Sequence, residues 1–221
     1  MKTDDVVIDV PPSAPLSISQ IEQAVSELSE VDEELATIAR RHGPPPLWAR
    51  PPGFATIVRI ILEQQVSLKA AATIYRRLQS QVGRVTAARL TLCDVDDLRA
   101  AGITRSKSSY IIGLAQAVAE GFIDLRKLAH QSDDQIRESL TRLRGIGPWT
   151  SDVYLLMVLR RPDVWPVGDL ALAISVQRVK GLRKRPTDDR MLHMAEAWRP
   201  WRSVAARLLW QDYLAIQRKR A

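Results

Sequence analysis

The segment Leu143-Arg-Gly-Ile-Gly-Pro-Trp-Thr-Ser-Asp-Val-Tyr154 constrains this chain more than any other stretch. Two glycines one residue apart, with helical patterns on both sides, make a hairpin between helices. Neither Gly145 nor Gly147 carries a Cβ, so the backbone there can approach another molecule closely. Before the hairpin, Ile136, Leu140 and Leu143 recur at helical spacing; after it, Val153 to Leu159 is apolar on every side, the pattern of a buried helix. Pro148 suits the first position of that second helix, where its missing N–H costs nothing. The amides that open the helix face outward and carry partial positive charge, which suits a phosphate oxygen. The alternative is a plain tight turn between two packed helices.

The rest of the chain is also helical in pattern. Ala, Leu and Arg are abundant, aromatics make up only 5% of residues, and no run alternates with period two, so an essentially all-α protein is expected. A length of 221 residues is enough to bury a substantial core. The formal charge of +7 and a pI near 9.9 favour a polyanionic partner. Cys93 is the single cysteine, which excludes an internal disulfide, a four-cysteine zinc site and a cysteine-ligated iron–sulfur cluster, and suits a reducing cytosol. His42, His130 and His193 lack ligand spacing. No signal peptide and no bilayer-spanning apolar run is visible, so a soluble cytoplasmic protein is expected, associated with the nucleoid if the source is prokaryotic.

Along the chain, residues 1–17, with Asp4, Asp5, Pro11, Pro12 and Pro15, are read as a mobile arm. Ile21, Val25, Leu28, Leu35 and Ile38 follow on one or two amphipathic helices, ended by Gly43-Pro-Pro-Pro46 and Pro51-Pro-Gly53. A long helical pattern from Phe54 is broken by Glu63-Gln-Gln-Val-Ser67. Either this is a wet turn between helices, or Gln64 and Gln65 supply donors and acceptors that replace base-pair hydrogen bonds. The loop from Gly102 to Lys107 is a weaker candidate for phosphate contact, the alternative being a Gly C-cap followed by a Ser/Thr N-cap. Ser132-Asp-Asp-Gln135 carries a capping signature for the helix that enters the hairpin.

Taken together, these motifs resemble the helix-hairpin-helix DNA glycosylases, and among them the AlkA-type 3-methyladenine DNA glycosylases. Glu63-Gln-Gln-Val-Ser67 is similar to the family's wedge loop, Leu143 to Thr150 to its hairpin, Val167-Gly-Asp-Leu170 to the segment bearing its aspartate, and Ala197-Trp-Arg-Pro-Trp-Arg-Ser203 with Trp210 to its alkylation-specific C-terminal signature. The likeness covers roughly residues 20–215. It implies two helical lobes with the active site in the cleft between them: residues 54–164, carrying the helix-hairpin-helix at about 135–160, and a discontinuous lobe of residues 18–53 plus 165–221.

The same resemblance implies a chemistry. Double-stranded DNA containing alkylated bases is the expected partner, and the extruded base must leave the stack before its glycosidic bond is reachable. Gln65, flanked by Gln64, is the wedge that fills the gap. Asp169 is the catalytic carboxylate that stabilises an oxocarbenium-like sugar, and it also reads as an N-cap for the helix beginning at Leu170. Trp149 stands where strand-cleaving relatives place a Schiff-base lysine, so a monofunctional hydrolase without lyase activity is implied. Trp149, Trp210 and Tyr154 line the base pocket, where a cationic base would gain a cation–π contact of about 0.5–2 kcal/mol. Gly145, Gly147, Thr150 and Lys107 bind DNA phosphate. No cofactor is required; the carbonyls of Thr141, Leu143 and Ile146 would hold a structural Na+ or K+. Trp165, Trp198 and Trp201 are read as core. The expected substrates are 3-methyladenine and 7-methylguanine, the expected state is a monomer, and the alternatives are a glycosylase for hypoxanthine or ethenoadenine, or a non-catalytic DNA-binding module.

Overall fold

The computed structural model describes residues 14–220. Among these the regular structure is helical: α1 Ile18–Val31, α2 Glu33–His42, α3 Phe54–Glu63, α4 Leu68–Val82, α5 Ala87–Leu90, α6 Val95–Ala100, α7 Arg105–Ala119, α8 Asp133–Thr141, α9 Pro148–Met157, α10 Leu170–Val179, α11 Asp188–Ala195 and α12 Arg202–Arg220. The all-α expectation holds. No described helix is long and apolar enough to cross a membrane.

Local sequence explains where these helices begin. Ser17 and Gln20 form a reciprocal capping box at α1, and Ser132 and Gln135 form another at α8, each supplying acceptors to amides that a helix start leaves unpaired. Asp32 closes α1 and caps α2, its carboxylate accepting from the Leu35 amide at 3.1 Å. The same carboxylate accepts from Lys180 Nζ at 2.7 Å and Trp198 Nε1 at 2.8 Å, so one residue ties the N-terminal helices to the C-terminal segment. Burial alone would raise the Asp32 carboxyl; Lys180, Trp198 and the Leu35 amide outweigh it and hold its pKa below the usual value.

Packing partners fall into two groups. Helices α1, α2, α10 and α12 pack on one another, while α3, α4, α7 and α9 make a second set joined by α5, α6 and α8. A continuous core runs through both. Helix α9 lies at its centre: Thr150 to Met157 are all buried, and Leu155 and Leu156 are 0% exposed. Burying one such leucine side chain contributes about 1.5–3 kcal/mol, which fixes α9 as a rigid mount. Arg207, also fully buried, donates to the carbonyls of Leu47, Leu156 and Ser203 and so pins the proline-rich connection of residues 43–53 between α9 and α12.

One boundary is corrected. The expected arm of residues 1–17 ends earlier, because Leu16 is fully buried and its amide donates to the Arg160 carbonyl at 2.8 Å. An apolar side chain just ahead of the first cap has core to pack against. Residues 1–13 of that arm lie outside the described residues. Trp165 and Trp198 are core residues with ring centroids 5.2 Å apart, whereas Trp201 is only half-buried and its indole donates to Glu27.

Candidate active site

The hairpin is a short reversal between α8 and α9. The Ile146 amide closes it onto the Leu143 carbonyl at 3.0 Å, and Pro148 takes the first turn of α9. The two glycines do different things. Gly145 has φ +86°, and a Cβ there would collide with the Tyr110 ring, so this glycine is required by the fold itself. Gly147 has an ordinary φ of −98° and nothing within 4 Å of where a Cβ would project. Only Gly147 faces open space, and the sequence reading, which gave both glycines one role, is corrected here. Ser151 is the first residue of α9 whose amide bonds back, to the Gly147 carbonyl at 3.1 Å, and Gly147 offers no side-chain cap. The amides of Trp149 and Thr150 therefore open the helix without an intrahelical acceptor.

The mount is braced from α8. Arg137 Nε donates to the buried Asp152 carboxylate at 2.8 Å, while its terminal nitrogen reaches Asp134. Burial raises the pKa of Asp152 despite the guanidinium beside it.

The break between α3 and α4 comes out as a turn locked to the hairpin. Gln64 Nε2 donates to the Gly145 carbonyl and to Thr150 Oγ1, both at 2.9 Å. Gln65 is exposed and holds a left-handed φ of +56°, a conformation that costs a non-glycine residue energy and persists where the surroundings impose it. The structure thus separates the two glutamines: Gln64 anchors and Gln65 projects. Val66 and Leu68, both exposed, flank the projection with apolar surface.

Lys107 is not where the sequence reading put it. Its Nζ turns inward and donates to the Leu62 and Gln64 carbonyls at 2.9 and 2.6 Å, capping α3, and burial lowers its pKa. A cation satisfied by two carbonyls beneath the turn supports Gln65 and does not face a phosphate. Thr150 is likewise turned in: it is buried and its hydroxyl accepts from Gln64. Tyr154 is 1% exposed with an unpartnered hydroxyl, and burial pushes its pKa up to about 12; it belongs to the core under the hairpin, not to an open pocket wall.

Asp169 stands where the two packing groups meet. It caps α10, with Oδ1 accepting from the Leu172 amide at 2.8 Å. Trp210 Nε1 on α12 donates to the same oxygen at 3.1 Å, and Trp149 Nε1 on α9 donates to Oδ2 at 2.8 Å. The carboxylate is thereby fixed in orientation by three neutral donors, and no cation pairs with it among the described residues. A negative charge so held, 9% exposed and not neutralised, suits a positive charge brought to it.

The sequence reading assigned the two tryptophans to base stacking and missed that their N–H edges clamp Asp169. It also missed Leu170, which is 58% exposed beside the carboxylate. A groove of about 360 Å³ between α3 and α4 does not include Asp169, so donor geometry rather than cavity size marks this site. At the hairpin, Thr141 is the last residue of α8, where a helix leaves carbonyls unpaired, and Leu143 lies just beyond the cap with its carbonyl accepting from the Ile146 amide. Such neutral oxygens suit a hard monovalent ion. No His/Cys/Asp/Glu group fit for a metal occurs among the described residues.

Comparison with known proteins gives the family and the fold. Residues 58–202 match the HhH-GPD superfamily base excision DNA repair protein family. The chain is 36% identical over 124 residues to a DNA-3-methyladenine glycosylase of Bacillus subtilis, covering 56% of this chain and 40% of that one. A second Bacillus subtilis protein with a name of the same kind is 31% identical over 189 residues, and the chain spans 65% of its length. Among solved structures, the DNA-3-methyladenine glycosidase of Bacillus halodurans superposes with a TM-score of 0.73 at 29% identity, covering 89% and 91% of the two chains. The Schizosaccharomyces pombe 3-methyladenine DNA glycosylase, solved in complex with abasic DNA, gives 0.76 at 27% identity, covering 86% and 95%.

Proposed function

The chain belongs to the HhH-GPD superfamily of base excision DNA repair proteins, and from that premise we propose that it is a monofunctional DNA glycosylase that hydrolyses alkylated bases, 3-methyladenine and 7-methylguanine, from duplex DNA. The observation that carries the reading is the Asp169 carboxylate, oriented by Trp149, Trp210 and the Leu172 amide, with no counter-cation among the described residues. As the bond between C1′ and the base breaks, the sugar develops positive charge; a carboxylate held near it stabilises that charge and orients the incoming water.

The other parts serve that step. Extrusion of the nucleotide opens a gap in the stack, and Gln65 enters it from a turn that Gln64 and Lys107 hold in place. The amides at the start of α9, with Gly147 giving close access, take a backbone phosphate. The carbonyls of Thr141, Leu143 and Ile146 would hold a monovalent cation that adds positive charge at that phosphate. Trp149 occupies the position after the hairpin where a nucleophilic amine would serve strand cleavage, and Lys107 is committed to two carbonyls, so the product is an intact abasic strand. The protein acts on DNA as a monomer.

The test is base release from methylated duplex DNA by the wild type and by Asp169→Asn, with strands examined before and after alkali. The expected result is release of 3-methyladenine by the wild type, loss of about 10²–10³-fold or more in the variant, and breaks only after alkali. Equal release by both proteins overturns the assignment of Asp169; release of hypoxanthine alone redirects the substrate.

A further inference from the structure

One strongly charged feature of the surface takes no part in the site as described. Arg183, Lys184 and Arg185 are three consecutive exposed cations in the connection between α10 and α11. Their basic neighbours are occupied: Lys180 donates to Asp32 and Glu34, and Arg178 pairs with Asp212. No ion pair reaches Arg183, Lys184 or Arg185 among the described residues. Three like charges in sequence repel one another, a cost that an anionic partner removes.

The connection is braced at both ends. Gly181 turns with φ +62°, the Leu182 amide donates to the Gln177 carbonyl at 2.8 Å, Pro186 is buried, and Thr187 caps α11. Its far end comes close to the residue that precedes Asp169. A Cβ placed on Gly168, the residue before Asp169, would lie 4.0 Å from Asp188 Oδ2 in the first turn of α11. Asp188 and Asp189 lie in that helix's first turn, where the partial positive charge of the N-terminus, about half an elementary charge, offsets part of theirs. The three cations therefore stand on a short, braced loop whose far end, at Asp188, lies near Gly168, the residue before Asp169.

We propose that residues 183–185 grip the phosphodiester backbone of the duplex beside the lesion, as a second phosphate contact independent of the hairpin. The inference rests on the glycosylase reading, because the strand that presents its sugar to Asp169 is the polyanion brought next to this loop. Each cation that neutralises a phosphate releases counterions, and the slope of log K against log salt counts such contacts.

The experiment measures binding to a duplex carrying an abasic-site analogue between about 50 and 200 mM salt. The Arg183→Ala/Lys184→Ala/Arg185→Ala variant is expected to flatten the slope by about 2–3, and each single variant by about 0.9. Arg183→Lys/Arg185→Lys is expected to keep the wild-type slope. A triple variant with native thermal unfolding and an unchanged slope overturns the proposal, and unchanged slopes in all three single variants do the same if the triple variant does not fold. Should the wild type release no base while the slope still falls in the triple variant, the loop assignment stands and the glycosylase reading falls.

Discussion

Replacing Trp149 with phenylalanine keeps an aromatic ring at the hairpin and removes one N–H, the only donor that Asp169 Oδ2 receives among the described residues. A hydrogen bond to an ionised group contributes about 1.5–3 kcal/mol. Asp169 is 9% exposed, so water recovers part of that, and a loss of about 1.5 kcal/mol is expected in urea unfolding. Trp210→Phe should cost less, about 1 kcal/mol, because Oδ1 keeps the Leu172 amide at 2.8 Å. In single-turnover base release, the loss of orientation at the carboxylate is expected to slow the reaction about tenfold, a separate barrier increase of about 1.4 kcal/mol. A stability cycle with Asp169→Ala isolates the pair: once the acceptor is gone, Trp149→Phe should cost little, giving a coupling of about 1–1.5 kcal/mol. If Trp149→Phe unfolds and reacts like the wild type, or loses the same stability in the Asp169→Ala background, the clamp has no energetic content and the argument fails.

Two further expectations follow from the hairpin and its mount. Gly145→Ala must adopt a left-handed backbone and displace Tyr110, and should lower stability by about 2–4 kcal/mol, whereas Gly147→Ala should unfold within about 0.5 kcal/mol of the wild type yet bind an abasic duplex at least tenfold more weakly; thermal unfolding and fluorescence anisotropy separate the two. The Tyr154 hydroxyl, raised to about 12, keeps its proton in the folded state after the unfolded chain has lost it, so its contribution is complete below pH 10 and falls as pH rises toward 12 by roughly 1.4 kcal/mol per unit. Tyr154→Phe should remove that alkaline slope at no cost near neutrality, since the hydroxyl has no partner among the described residues; denaturant melts across pH 9–12 decide it.

What was legible in the sequence is what short-range pattern encodes. The Ser132 capping box, Pro148 at the first turn of α9, the all-round burial of α9 and Asp169 as an N-cap each depend on residues within one or two turns. The two indole donors that orient Asp169 come from 20 and 41 residues away, and which edge an indole presents is set by packing that no spacing rule records. Lys107 was misplaced for the same reason: its sequence neighbours suggest a surface loop, but α3 offers two carbonyls within reach of a flexible side chain. Gly145 and Gly147 look alike in sequence, and the left-handed backbone of the first and its contact with Tyr110 on α7 distinguish them.

The carboxamide of Gln64 joins the turn after α3 to the hairpin before α9 at two points. On the proposed reading, in which Gln65 is the probe and the hairpin the handhold, a protein that fuses the two in this way has little give of its own while it scans DNA. The compliance needed to test each step then has to come from the duplex, so sites where stacking is already weak, at flexible pyrimidine–purine steps or beside a distorted base, are opened first. Sequence context would then enter lesion search through the mechanics of the DNA, with no base edge read at all.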